Sequence, residues 1–254
     1  MSNTFNNLGK LITDSVQSTT SSATGTTSFA FGFNTIASGD YSHAEGYKNV
    51  ASGPASHAEG GFPGKGYFNT ASSEGSHAEG WSTTASGGGS HAEGTFTLAS
   101  GDGSHAEGYI TTASGGGSHA EGNQTTASGD YSHAEGINTT ASGDYSHAEG
   151  KITIASGQQS HAGGNNSIAS GLTSFIHSTD SLVTGDRSVV LGGQNITGST
   201  SDMVYIPNLN IVNIISANDD SDAALSGLTA GDVYQTSGLG ASPLNVAGIL
   251  MIKQ

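Results

Sequence analysis

Between residues 28 and 198 the chain repeats itself every fourteen residues, and this period decides what it can fold into. Aligned on the serine that opens each unit, the pattern is S-H-A-E-G-x-x-T-x-A-S-G-x-x. Units open at Ser28, Ser42, Ser56, Ser76, Ser90, Ser104, Ser118, Ser132, Ser146, Ser160, Ser174 and Ser188. One spacing differs. The unit at Ser56 runs for twenty residues, because six extra ones enter at 61–66 (Gly-Phe-Pro-Gly-Lys-Gly). A Gly- and Pro-rich insertion that leaves the register intact belongs in a surface loop. Forty glycines and a low hydrophobic content would otherwise suggest disorder, but a disordered linker has no reason to keep a register.

The alternation inside a unit has period two, which predicts strands. In S-H-A-E-G the Ser, Ala and Gly are expected on one face and His and Glu on the other. In T-x-A-S-G the Thr, Ala and Gly share a face. Fourteen residues then suit one coil of a parallel β-solenoid: two short strands, two turns, and an interior wide enough only for small side chains. Twelve such coils, stacked about 4.8 Å apart, would make a rod of roughly 55–60 Å. The expected fold is therefore all-β, a β-roll over 28–198, with an N-terminal attachment segment or linker at 1–27 and a small, mainly-β tip at 199–254. In the first segment Phe5, Leu8, Leu11, Ile12 and Val16 are spaced for a short amphipathic helix. In the last, Ser221 is placed to cap a short helix through Leu228, and Asp232–Thr236 with Val246–Ile252 suit a hairpin.

A core of Ser, Ala and Gly buries little apolar surface, at about 25 cal/mol per Å², and ordering so Gly-rich a chain is entropically expensive. Association of several chains is the natural remedy, and threefold symmetry the expected form. The end units indicate which face associates. The His position holds His43, His57, His77, His91, His105, His119, His133, His147 and His161. The Glu position holds Glu45, Glu59, Glu79, Glu93, Glu107, Glu121, Glu135 and Glu149. On the same face the first unit has Phe29 and Phe31, the last has Val189 and Leu191, and the one before it Phe175. Large apolar residues seldom stack in solvent at matched positions, so this face is expected on the trimer axis. Buried carboxylates there need partners. Imidazole can supply them, and so can ordered water. A divalent ion is the third solution, since H-x-E from three chains offers up to six N and O ligands. An axial metal, assigned to no particular ring, is thus the one cofactor this chemistry admits.

The unit resembles the head repeats of trimeric autotransporter adhesins, in which S-V-A-I-G-type units form a left-handed parallel β-roll packed as a trimer. Ser188-Val189-Val190-Leu191-Gly192 matches almost directly. The resemblance implies that the Val and Ile positions, here His and Glu, line the trimer interface. S-H-A-E-G units also look like those of phage and prophage fibres. Asn218–Leu228 followed by Gly231-Asp232-Val233-Tyr234 looks like a module that ends many virion proteins. These resemblances imply a structural fibre on a virion surface, extracellular, attached to a particle through its N-terminus and able to bind a host-surface glycan or protein. A bacterial surface adhesin or filament is the alternative.

Other classes fit less well. A net charge of −15 with only six Lys and Arg gives nucleic acid nothing to bind. The absence of cysteine excludes disulfides and thiolate metal sites. No basic segment followed by an apolar run begins the chain, and no stretch approaches a membrane span. Ser and His recur but point to opposite faces of one strand, so no nucleophile–base pair is expected and no enzyme is predicted. The Thr row Thr70, Thr84, Thr112, Thr126 and Thr140 would suit ice binding, but Val50, Leu98, Ile154 and Ile168 interrupt it. Aromatic rings in the turns are candidate sugar platforms, Trp81, Tyr109 and Tyr47 first among them.

Overall fold

The computed structural model describes residues 20–207 and three strand segments at 216–217, 233–236 and 250–252. The candidate helices at the N-terminus and at 221–228 lie outside the described residues. Residues 20–207 form a parallel β-solenoid of about thirteen coils with no helix among the described residues. Each coil contributes one long and one short strand, such as His91–Thr95 and Leu98–Ala99. Like strands of successive coils pair in parallel and in register, building two thirteen-stranded sheets. His stacks on His, Ala on Ala and Glu on Glu.

The coil runs slightly wider than the repeat that announces it. Ser22–Ala23 already pairs with Ile36–Ala37, because Ser-Ala-Thr-Gly at 22–25 copies the second half of a unit. At the other end Val204–Tyr205 pairs with Val189–Val190. That last step takes fifteen residues, and a bulge absorbs the extra one between Leu191 and Gln194.

The interior consists of columns of small residues. From Ala37 to Ala169 every alanine of both columns is wholly buried, and Ile176, Val183 and Val190 take over only in the final coils. From Ser42 onward the serine that opens each unit is buried with them, as is the Thr, Asn or Ser before the short strand from Thr35 to Ser181. The glycine of the A-S-G turn, replaced in one coil by Ser73, shows how closely the coils approach. A Cβ on Gly101 would lie 2.0 Å from the carbonyl oxygen of Gly115 in the next coil.

The other repeated glycine departs from the expected parity. Gly46 and its equivalents in most coils are not interior residues. One residue before the strand's end the backbone turns, with φ of +99° at Gly46 and +103° at Gly94, and the chain rounds the corner. Only glycine enters that region freely. A second constraint falls on the turns themselves. Each coil places residues such as Tyr41, Phe96, Ile110 and Tyr131 in the left-handed region, with φ between 56° and 59°. This conformation disfavours bulky and β-branched side chains.

The six-residue insertion is a small antiparallel loop, closed by Phe62 N–H to Tyr67 O at 2.8 Å. It leaves the core alignment untouched, since His57 still stacks on His77. The two coils beside it carry Asn49 and Asn69 in place of the buried Thr. The Asn69 N–H donates to Asn49 Oδ1 at 2.7 Å, and Asn69 Oδ1 accepts from the Thr83 N–H and hydroxyl at 2.9 Å. Their side-chain amides also donate to the Gly60 and Gly80 carbonyls. The longer Asn side chain thus bridges the two corners between which the loop leaves. Residues 208–254 form a separate unit. In it Val233–Thr236 pairs antiparallel with Leu250–Ile252 and parallel with Ser216–Ala217.

The close approach of coils at Gly101 gives a direct test. Gly101→Ala should lower the melting temperature by roughly 10 °C, since displacing packed backbone costs about 4 kcal/mol. Gly89→Asn, in a turn where φ is +62° and a Cβ meets open space, should leave it nearly unchanged. Equal effects of the two would show that coil contact does not set the diameter.

Candidate interface along the histidine–glutamate face

The two-residue alternation of the long strand puts Ser and Ala inside and sends His and Glu outward together. In-register stacking then turns these outward residues into two parallel columns. From His43 to His147 the imidazole rings lie face to face, with centroids 4.7–4.9 Å apart and planes within 7°. The ring of His161 turns edge-on to that of His147.

From His77 to His161 each histidine of the column bonds to a glutamate of the preceding coil. The pairs are Glu59–His77, Glu79–His91, Glu93–His105, Glu107–His119, Glu121–His133, Glu135–His147 and Glu149–His161. Their Nε2–Oε1 distances are 3.1–3.3 Å. An ionised carboxylate can only accept, so Nε2 carries the proton and donates. The side chains are about a third exposed, 27–38% for these histidines and His43. The columns are therefore a lattice already bonded within one chain, with an outer surface still open.

The offset leaves the first rung incomplete. The coil before His43 carries Phe31 where a glutamate would stand, so His43 reaches only Glu45 of its own coil, at 3.7 Å. Nε2 of His43 and of His57 are buried without a hydrogen bond. At the far end Gly163 replaces the glutamate, and Glu149 lies 3.2 Å from His161 and 3.7 Å from His177. His177 falls in the glutamate column, a placement that the repeat pattern does not single out.

The apolar end residues fall in the same columns. Phe29 pairs with His43, Phe31 with Glu45, Phe175 with His161, Val189 with Phe175, and Leu191 with His177. Phe29 is 50% exposed, Phe31 42% and Leu191 41%.

Sets such as His43–Glu45–His57 and His105–Glu107–His119 bring two imidazoles and a carboxylate within 4.8 Å of one another. The donor types suit a divalent transition metal. However, parallel rings direct their lone pairs side by side rather than at one point. One chain does not form a coordination sphere in this conformation.

Ser and His of one unit lie on opposite sides of the strand, the serine buried and the histidine half-buried. That placement is not a nucleophile–base arrangement. In the short-strand sheet, Leu98 stands between Thr84 and Thr112, which breaks the threonine row. Tyr47, Trp81 and Tyr109 share one edge of the solenoid. There they meet aromatics that the repeat pattern does not mark: Phe33 stacks on Tyr47, Phe62 on Trp81, and Phe96 lies edge-on between Tyr67 and Tyr109.

Two groups of the lattice titrate away from their ordinary values. Burial pushes the Glu107 carboxyl up, but the hydrogen bond from His119 and the charge of His105 together outweigh it, and the group lies below its ordinary value of 4.5. Burial, reinforced by His147, holds the His161 imidazole below 6.5 against the pull of Glu149. Both are depressed in the fold, so in each case the unfolded chain takes up the proton first as pH falls. Their stabilisation is complete above the ordinary values. It is lost from about pH 6.5 downward for His161, and below about 4.5 for Glu107. The melting temperature should therefore fall on acidification from about pH 7 to pH 4. A melting curve unchanged over that range would contradict the lattice.

The profile of the YadA head domain repeat, in a form holding two copies, matches residues 23–49, 78–104, 106–132, 134–151 and 148–174. Most matched stretches span nearly two of the observed coils. No curated protein matches the chain. The shared feature is the coil itself, an adhesin-type structural fold and not a known enzyme family. Over these stretches the solenoid is similar to YadA head domain repeats, the repeats of trimeric autotransporter adhesin heads.

Proposed function

We propose that the rod associates through its His/Glu face into a homotrimer and serves as a rigid surface fibre carried on a virion. On this reading residues 1–27 attach it to the particle and residues 199–254 form its distal tip. The observation that carries the trimer is the composition of one face. A continuous pair of columns is apolar and half-exposed at its ends and His/Glu between them. Exposed Phe29, Phe31 and Leu191 at matched positions are best explained by copies of themselves on neighbouring chains. The general homotrimeric habit of YadA heads supports this choice. The His–Glu bonds remove the main objection to burying such a face, because each paired carboxylate arrives at the interface with a donor in place. Axial water would serve the remaining lone pairs. An axial divalent ion, drawing one imidazole from each chain, is compatible with the same arrangement.

A bacterial surface adhesin is the second reading, and the repeat match favours it equally. The S-H-A-E-G units and the module at 218–234 incline us to the virion. Immunogold labelling of purified particles and of bacterial surfaces separates the two.

Sedimentation of the full chain should give the mass of three chains. The double variant Phe29→Glu with Leu191→Glu, which puts unpaired charge at both ends of the face, should shift it towards one chain. A wild-type monomer, or a trimer indifferent to both substitutions, would overturn the assignment of this face.

A further inference from the structure

The two edges of the solenoid are chemically unlike. The turn after the short strand carries the acids Asp40, Asp102, Asp130, Asp144 and Asp186. All five accept a backbone N–H of the preceding coil, such as Thr26 N–H on Asp40 at 2.7 Å and Gly88 N–H on Asp102 at 2.8 Å. Their role is structural. The turn after the long strand has no acid from Tyr47 to Ile152. It holds Lys48, Lys65 and Lys151, half of all the lysines and arginines in a chain of net charge −15. The glutamates next to this edge face the histidine column.

Aromatic rings concentrate on this second edge around the insertion. Phe62 stacks on Trp81 with centroids 4.9 Å apart. Phe96 meets Tyr67 at 5.0 Å and Tyr109 at 6.2 Å. Trp81 and Tyr109 remain 46% and 44% exposed. Lys48 sits over the Tyr47 ring, 5.4 Å from its centroid. The backbone does not explain these choices. Phe96 has φ of +58°, at a turn position where other coils use Asn34, Asn138 and Asn166. Asn is the residue this conformation tolerates, whereas a bulky ring is strained. Ile110 and Ile152 share that strained position, so it is the exposure of the Phe96 ring and its contacts with Tyr67 and Tyr109 that mark it as part of this patch.

We propose that the edge formed by Phe62, Trp81, Phe96 and Tyr109 with Lys48 and Lys65 binds an acidic polysaccharide. The C–H faces of pyranose rings lie on the aromatic rings, and sugar carboxylates or sulfates meet the lysines. Charge selects this occupant. An anionic chain is repelled by the acidic edge, whose Arg187 is already paired with Asp202, and among the described residues finds cations without a carboxylate partner only along this edge. The inference deepens the surface-fibre reading by naming the class of surface it would grip, and it uses an edge distinct from the His/Glu face.

Trp81 is the sole tryptophan, so its fluorescence reports this site alone. The full chain should be titrated with polygalacturonate, polysialic acid and heparin, and with neutral dextran of matched length. A saturable fluorescence change is expected with at least one acidic polymer and not with dextran. Phe96→Ala should weaken that binding about tenfold, equivalent to about 1.4 kcal/mol. Lys65→Gln should weaken it and flatten its salt dependence. Trp81→Phe, followed by calorimetry, should retain it, and Tyr145→Ala on the opposite edge should leave it unchanged. Several results would overturn the proposal: no response to any acidic polymer, an equal response to dextran, or indifference to both Phe96→Ala and Lys65→Gln. Failure of acrylamide to quench Trp81 in the assembled protein would also overturn it, since a second copy would then cover the edge. Sedimentation of the same samples shows separately whether the trimer stands.

Discussion

At the turns of this rod, a glycine carbonyl of one coil lies where the neighbouring glycine would otherwise carry a side chain. The contact between Gly101 and Gly115 recurs along the solenoid, from Gly25 with Gly39 to Gly157 with Gly171, except beside the insertion, where Ser73 stands opposite Gly53. It draws the coils together at a fixed point once per turn and keeps the cross-section narrow. Everything else in the interior follows from that narrowness. Only Ala, Ser, Thr and Asn fit, and larger Ile176, Val183 and Val190 appear only where the stack is about to end. The rod has ample backbone pairing and a thin apolar core. Its stability must come from ladder hydrogen bonds and from whatever its outer faces can bind.

The same in-register stacking produces the His/Glu face. A side chain pointing outward in one coil meets its copy in the next, so a single His and a single Glu per unit become two columns. From His77 to His161 the columns then bond across coils, each histidine to the glutamate before it. This explains how ionisable residues can occupy the position that Val and Ile hold in S-V-A-I-G-type units. Their polar demand is met within the chain before any partner arrives. Where the alternation fails, at Phe31 and Gly163, it fails at the ends, leaving the His43 side without its acceptor and Glu149 shared between two histidines.

Much of this was legible in the sequence, because a strict period transmits directly into register. The fourteen-residue spacing gives the coil, the alternation gives the buried Ser and Ala, and the GFPGKG loop is visible as a break that preserves phase. Three features were not legible. Gly46 follows the strand alternation in sequence, yet the corner at φ +99° takes it out of the interior. The pairing of each Glu with the next coil's His depends on side-chain reach, which spacing alone does not reveal. The aromatic edge joins Phe62, Tyr67, Phe96 and Tyr109 across the insertion, and only the stacking order brings them together. A signal for the insertion's support was present: Asn49 and Asn69 replace Thr in the two coils flanking it.

The central claim is that a coil this thin is completed by association through its His/Glu face. Folding and assembly are then one equilibrium, and stability depends on chain concentration. Circular dichroism melting over about a hundredfold range of concentration tests this most directly. The account predicts a midpoint that rises steadily with concentration. A midpoint independent of concentration, in a chain that sediments as a monomer, would contradict it.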